Sequence, residues 1–177
     1  VTAALAEEIA PHAAADLLAL QEADAEARPH PGLLDPARIE RATGLRWLQG
    51  DPGLRWGPQS HGFHGVVVFL APAVAVEHIA LLDLPGRCHR GAVIVEARTG
   101  GAPFRLVATH LSLGQLFRIA QLRVVGQYLD RHPERPNLLV GDLNEWRPWG
   151  GAALSPRILG RRFAGPAPAT FPVGRPF

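Results

Sequence analysis

Ala92-Val93-Ile94-Val95-Glu96-Ala97, then Arg98-Thr99-Gly100-Gly101-Ala102, then Phe104-Arg105-Leu106-Val107-Ala108-Thr109: this run decides the fold class. Two apolar, β-branched stretches flank a paired-glycine turn, which is the pattern of a β-hairpin. Downstream the period changes. Between Gln115 and Arg131, Ile119, Leu122, Val125 and Leu129 share one helical face, while Arg118, Arg123, Gln127 and Arg131 take mostly other positions. Pro133 and Pro136 end that helix, and Leu138-Leu139-Val140 is a short apolar run of the buried-strand kind, closed by Gly141-Asp142.

Working back toward the start, Ala92–Ala97 is preceded by two more strand-like runs, Val66–Leu70 and Val74–Leu82. Gln49 to Gly65 reads as loop or irregular hairpin. Asp35-Pro36 and Gly44 bracket a helix over Ala37–Thr43. Leu17–Leu20 reads as a strand buried on both faces and stops at Gln21-Glu22. Leu5 and Ile9 mark an amphipathic helix end that Pro11 interrupts. Gly44-Leu45-Arg46-Trp47 is echoed by Gly53-Leu54-Arg55-Trp56, too closely spaced and too few to make a structural repeat. Gly150 to Phe177 is rich in glycine, proline and arginine, with one short helix near Ala152–Leu159. No linker divides the chain, so residues 1–177 read as one α/β domain.

Composition agrees. A hydrophobic content of 47% against 19% charged residues describes a globular chain, not a disordered one. No apolar run reaches about 18 residues, so no transmembrane segment is expected and a soluble, cytoplasmic protein is favoured. The chain starts at Val1 and holds no methionine, so it is expected to be part of a longer reading frame, with any signal peptide lying upstream. One cysteine, Cys88, rules out an internal disulfide and argues against a cysteine metal cluster. All eighteen basic residues are arginine and the net charge is only +2, which permits a phosphate-bearing substrate without demanding one. The arginines are scattered, with no dense nucleic-acid tract.

Three apolar strands end in residues suited to chemistry: Gln21-Glu22, Thr109-His110-Leu111 and Gly141-Asp142-Leu143-Asn144. Strand ends are where a sheet opens into loops and sites are built. In an extended segment Asp142 and Asn144 project to one side, a carboxylate beside a carboxamide. The anion can orient water while the amide donates to a developing oxyanion. Glu22 offers a hard oxygen ligand of the kind Mg2+ takes, and His110 can donate to a phosphate oxygen. Taken singly each has a plainer reading: Asp-x-Asn is common in turns, and a glutamate after a strand is commonly solvated. Asp142-Leu143-Asn144 lacks the glycine and glutamate of a calcium loop. His61 and His64 are close enough for a zinc pair but lack further ligands, so they read as surface loop, and no metal is expected at His61, His64 or Cys88. Serine-hydrolase and P-loop motifs are absent.

The order of the motifs is more specific than any one of them. Leu20-Gln21-Glu22, an Arg90-Gly91 opening a strand, Thr109-His110-Leu111, Arg118 and Gln121 on a helix, and Gly141-Asp142-Leu143-Asn144-Glu145-Trp146 together resemble the endonuclease/exonuclease/phosphatase family. Thr170-Phe171-Pro172 resembles the stretch before that family's Leu-Asp-Arg-Ile segment. The resemblance implies a DNase I-like four-layer α-β-β-α sandwich of two mixed β-sheets with helices outside. It implies Glu22 as the magnesium ligand, with Mn2+ as an alternative metal. Asp142 matches the residue that orients the attacking water, Asn144 the amide that holds the phosphate, and His110 the histidine that faces it. Arg90 and Arg118 fall near the site, as phosphate contacts or as structural ion-pair partners.

The departures carry expectations too. The family opens with a strand bearing an asparagine and closes with an Asp-Arg pair and a Ser-Asp-His motif, and this chain begins after the first and stops before the others. Leu70-Ala71 stands where a small hydroxyl residue and an arginine are usual. The expectation is one domain lacking its first and C-terminal strands, with impaired catalysis. Its substrate would be a phosphoester, with nucleic acid one option. The rival readings are a lipid or small-molecule phosphodiesterase and an inactive remnant serving as a binding module. On the first reading Glu22, His110, Asp142 and Asn144 should meet in one cleft.

Overall fold

The computed structural model describes residues 15–145, 151 and 153–162. The segments around Leu5–Pro11, Trp146–Gly150 and Thr170–Pro172 lie outside them.

Seven strands form two sheets. β1 (Leu17–Leu20), β2 (Arg46–Trp47) and β3 (Val67–Leu70) pair in the order β1-β3-β2, all antiparallel. β4 (Ala75–Leu84), β5 (Arg90–Thr99), β6 (Ala102–His110) and β7 (Asn137–Asp142) pair in the order β4-β5-β6-β7. The first three are antiparallel and β7 runs parallel to β6, so this sheet is mixed. The hairpin between β5 and β6 is the tight one expected. Thr99 pairs with Ala102 across Gly100 (φ 54°) and Gly101 (φ 82°), two successive left-handed residues that a two-residue turn needs.

Helix α1 (Pro36–Thr43) has the predicted caps. The Asp35 carboxylate accepts from the Arg38 amide at 3.0 Å, and Gly44 closes the helix at φ 72°. Helix α2 (Gln115–Asp130) is the crossover that a parallel β6–β7 connection requires. A single turn, α3 (Pro156–Leu159), follows. The echoed Gly-Leu-Arg-Trp segments adopt different structures, strand β2 in one and the 3-10 turn Pro52–Leu54 in the other.

Period-2 alternation decides which layer each side chain enters. On β3, Val67 and Phe69 face α1 and pack with Ile39 and Leu45, while Val66, Val68 and Leu70 face the other sheet. There they meet Val93, Val95 and Ala97 of β5 and Leu106 and Ala108 of β6. The opposite faces of β5 and β6 carry Ala92, Ile94 and Val107, which pack on Leu122, Val125 and Leu129 of α2. The layers are therefore α1, three-stranded sheet, four-stranded sheet, α2. Each fully buried valine, leucine or isoleucine in these interfaces contributes roughly 1.5–3 kcal/mol.

Two strand expectations are corrected. β1 is half-buried along its length rather than enclosed on both faces. β7 is more open still, with Leu138 46% exposed, because among the described residues only β6 pairs with it. An apolar triplet cannot report whether its second neighbour is present.

Candidate active site

The parallel register of β6 and β7 sets His110 opposite Asp142, so the two strands deliver both residues to the same sheet edge. The strands come close because residue 141 is glycine. A Cβ there would lie 1.9 Å from the Thr109 carbonyl oxygen, and its φ is 123°. His110 Nε2 stands 3.7 Å from Asp142 Oδ2, an ion-pair distance rather than a hydrogen bond. His110 is buried, and its imidazole is held below the ordinary histidine range. Desolvation is the main cause and the Arg90 guanidinium adds to it, against the opposing pull of Asp142, Glu22 and Glu26. The neutral ring is therefore the resting form near pH 7. Half of the Asp142 side chain is open to solvent.

Asn144 reaches this place by a route that strand alternation does not describe. β7 ends at Asp142, and Asn144 turns left-handed at φ 49°. Its backbone N–H donates to Asp142 Oδ1 at 2.8 Å, and its Nδ2 donates to the Leu111 carbonyl at 2.8 Å. The Asp-x-Asn unit is thus an Asx turn that ties the end of β7 to the residue after His110. One amide hydrogen is used in that tie, and the second remains.

Glu22 lies just past β1, exposed, with φ 56°. It borders a cavity of about 530 Å³ whose wall also includes Glu26, Trp56, His64, Arg90 and His110. Of the four residues expected in one cleft, Glu22 and His110 line this cavity; Asp142 and Asn144 do not, and Asp142 is linked to it only through His110. Arg90 opens β5 and faces this cleft, its Nε buried without a hydrogen-bond partner. Arg118 is placed differently. It is 1% exposed, and its guanidinium donates to the Ser112 and Leu113 carbonyls and approaches Glu145 Oε2 at 3.4 Å. Gln121 braces the same loop, accepting from the Ser112 amide at 2.9 Å and donating to Ser112 Oγ and the Pro85 carbonyl. Of the two readings of Arg118, this arrangement is the structural one: the helix holds the loop that leaves His110.

The chain matches the model of the Endonuclease/Exonuclease/phosphatase family over residues 1–176. The chain belongs to this family. Among solved structures it is similar to a humanized D. rerio TDP2 carrying 14 mutations, at 21% identity and TM-score 0.60, covering 93% of this chain and 64% of that one. D. rerio TDP2 complexed with single strand DNA product gives 22% identity and TM-score 0.57 over 81% of this chain and 53% of that one. An endonuclease/exonuclease/phosphatase from Beutenbergia cavernae gives 23% and 0.54 over 82% and 42%. At these identities the likeness shows the fold, which is DNase I-like. The chain spans less than two thirds of the length of each. No curated protein matches it.

Sequence reasoning missed part of the wall that this family member builds. His64 reads from sequence as surface loop, yet it is buried at φ 50°, with Nε2 3.3 Å from Asp83 Oδ1. It packs in a ring cluster with Trp56 and His89, and Trp56 stacks on His30 with centroids 3.5 Å apart. Burial lowers the affinity of His64 for a proton, with Asp83 opposing. Asp24, also missed, is buried beside Glu22 and accepts hydrogen bonds from the loop that carries His64. The only signal for either was proximity to Glu22 and to the glycines of 62–65.

Glu22 and Glu26 line the cleft with no ion pair to either among the described residues, and no group of three His, Cys, Asp or Glu side chains assembles there as a cage. Magnesium takes one or two protein carboxylates and fills its shell with water and substrate phosphate, whereas structural zinc needs four protein ligands.

Proposed function

We propose that this chain hydrolyses phosphoester bonds by attack of water, with Mg2+ as its metal. The observation that carries the reading is the His110–Asp142 pair at the end of the β6–β7 ladder, whose His110 lines a cleft bordered by Glu22 and Arg90. Glu22 would hold the cation, which when bound offsets negative charge on the phosphate oxygens. Asp142, half-exposed, accepts a hydrogen bond from water and orients its lone pair toward phosphorus. His110, kept neutral by burial, has one ring N–H to donate to a non-bridging oxygen, while its other nitrogen stays an acceptor. The second amide hydrogen of Asn144 is a further donor for the oxygen on which charge develops. The Arg90 guanidinium, facing the cleft, supplies a fixed positive charge for a phosphate oxygen.

The D. rerio TDP2 structure contains single strand DNA product, and DNA is accordingly the first substrate to try here. The test is turnover of a nitrophenyl phosphodiester and of plasmid DNA with Mg2+, with Asp142→Ala alongside. Loss of a positioned proton acceptor should lower the rate by roughly 100-fold or more. Turnover that survives Asp142→Ala would place the chemistry elsewhere.

A further inference from the structure

Asp24 sits two residues beyond Glu22, 6% exposed, and lines the same cleft. A buried carboxylate ordinarily has a cationic partner. Here the partners are backbone amides of a distant loop. Oδ1 accepts from His61 N at 2.6 Å and Gly62 N at 3.3 Å, while Oδ2 accepts from Gly62 N at 3.1 Å and Gly65 N at 3.3 Å. The loop returns the contact. Its Gly65 carbonyl accepts from the Ala23 amide at 3.0 Å, and a Cβ at Gly65 would touch the Glu22 backbone at 3.5 Å.

Glu22 itself is left-handed, a conformation that a glutamate keeps only where its surroundings hold it. What surrounds its backbone is this clamp. We infer that Asp24 is a positioning residue for Glu22: it fixes the 61–65 loop against the Glu22–Ala23 backbone, so that the Glu22 carboxylate faces the cleft. Its own negative charge at the cleft wall adds to the attraction for a divalent cation. The inference rests on the reading of Glu22 as the cation's ligand.

The test is Mn2+ affinity, read by electron paramagnetic resonance on the phosphate-free protein and independent of turnover. Asp24→Asn keeps the shape and removes the charge together with half of the acceptor set. Gly65→Ala disturbs the same clamp from the loop side, through a Cβ at φ 76°. Gln49→Ala is the matched control. It breaks a buried clasp on the Val66 carbonyl and the Val68 amide, residues that do not line the cleft. Removing a group that orients a metal ligand weakens binding by about 10- to 100-fold. Asp24→Asn and Gly65→Ala should each weaken Mn2+ binding by at least about 10-fold, and Gln49→Ala should leave it unchanged at a comparable loss of melting temperature. In turnover assays the metal half-saturation of Asp24→Asn should rise while kcat at saturating metal stays close to wild type. Asp24→Asn and Gly65→Ala binding Mn2+ like Gln49→Ala, while Glu22→Gln loses it, overturns the clamp alone. Unchanged Mn2+ binding in Glu22→Gln overturns the metal reading of Glu22, and the clamp with it.

Discussion

Asp142→Asn should push the His110 titration further down. The 3.7 Å separation between Nε2 and Oδ2 corresponds to an attraction of about 1 kcal/mol in water-like surroundings and about 4.5 kcal/mol at an effective dielectric of 20. His110 is enclosed but Asp142 is half-open, which puts the interaction toward the lower figure, about 1–2 kcal/mol. A coupling of that size is large enough to be read in a titration, so the midpoint should fall measurably. The sign follows from charge: the carboxylate favours imidazolium, and its removal leaves desolvation and Arg90, both of which disfavour it. The assay is ring nitrogen NMR in EDTA, with the His110 signals assigned by His110→Gln. A midpoint that stays put or rises would show that the two side chains are not coupled as the β6–β7 register brings them together.

Further outcomes follow from the same interactions. His61, His64 and His110 all bind protons less readily when folded, each chiefly because burial strips water from the charged ring. Stability should therefore be at its full value above the unfolded histidine value of 6.5 and fall as pH drops from there through the folded values; a melting temperature that holds or rises on acidification from pH 7 to 5.5 contradicts this. Arg118→Ala leaves two carbonyls and the buried Glu145 carboxylate without that guanidinium, and should cost about 3 kcal/mol or more in urea unfolding. A loss under 1 kcal/mol would mean that Arg118 is not the brace of the 112–113 loop.

How much of this was legible depends on whether the signal is local. The β5–β6 hairpin, α1 with its Asp35 and Gly44 caps, and α2 with its apolar stripe are written in adjacent residues, and the structure has all three. The four layers follow from the period of 2 on β3 and β5 once two sheets are granted, and that came from family resemblance. What could not be read is how many neighbours a strand has. Leu138-Leu139-Val140 has the composition of an enclosed strand and lies on an open one, because burial is a property of the pairing and not of the triplet.

The site divides along the same line. The strand-end positions of Glu22, His110 and Asp142 were legible because each follows or ends an apolar run, but that Glu22 of one sheet comes near His110 of the other was not. Asn144 was identified for the wrong geometric reason. Its place comes from an Asx turn at φ 49°, whose donor and acceptor lie inside the motif but whose second anchor, the Leu111 carbonyl, is 33 residues away. Arg118 had the right address on a helix beside the site, and only the 112–113 loop shows that its charge turns inward. Asp24 and His64 were invisible for a further reason. Asp24 acts on the Gly65 amide, 41 residues on, and His64 on the rings of Trp56 and His89, contacts that any sequence could supply. Sequence thus exposes the residues placed at the ends of elements and hides the ones that hold them there.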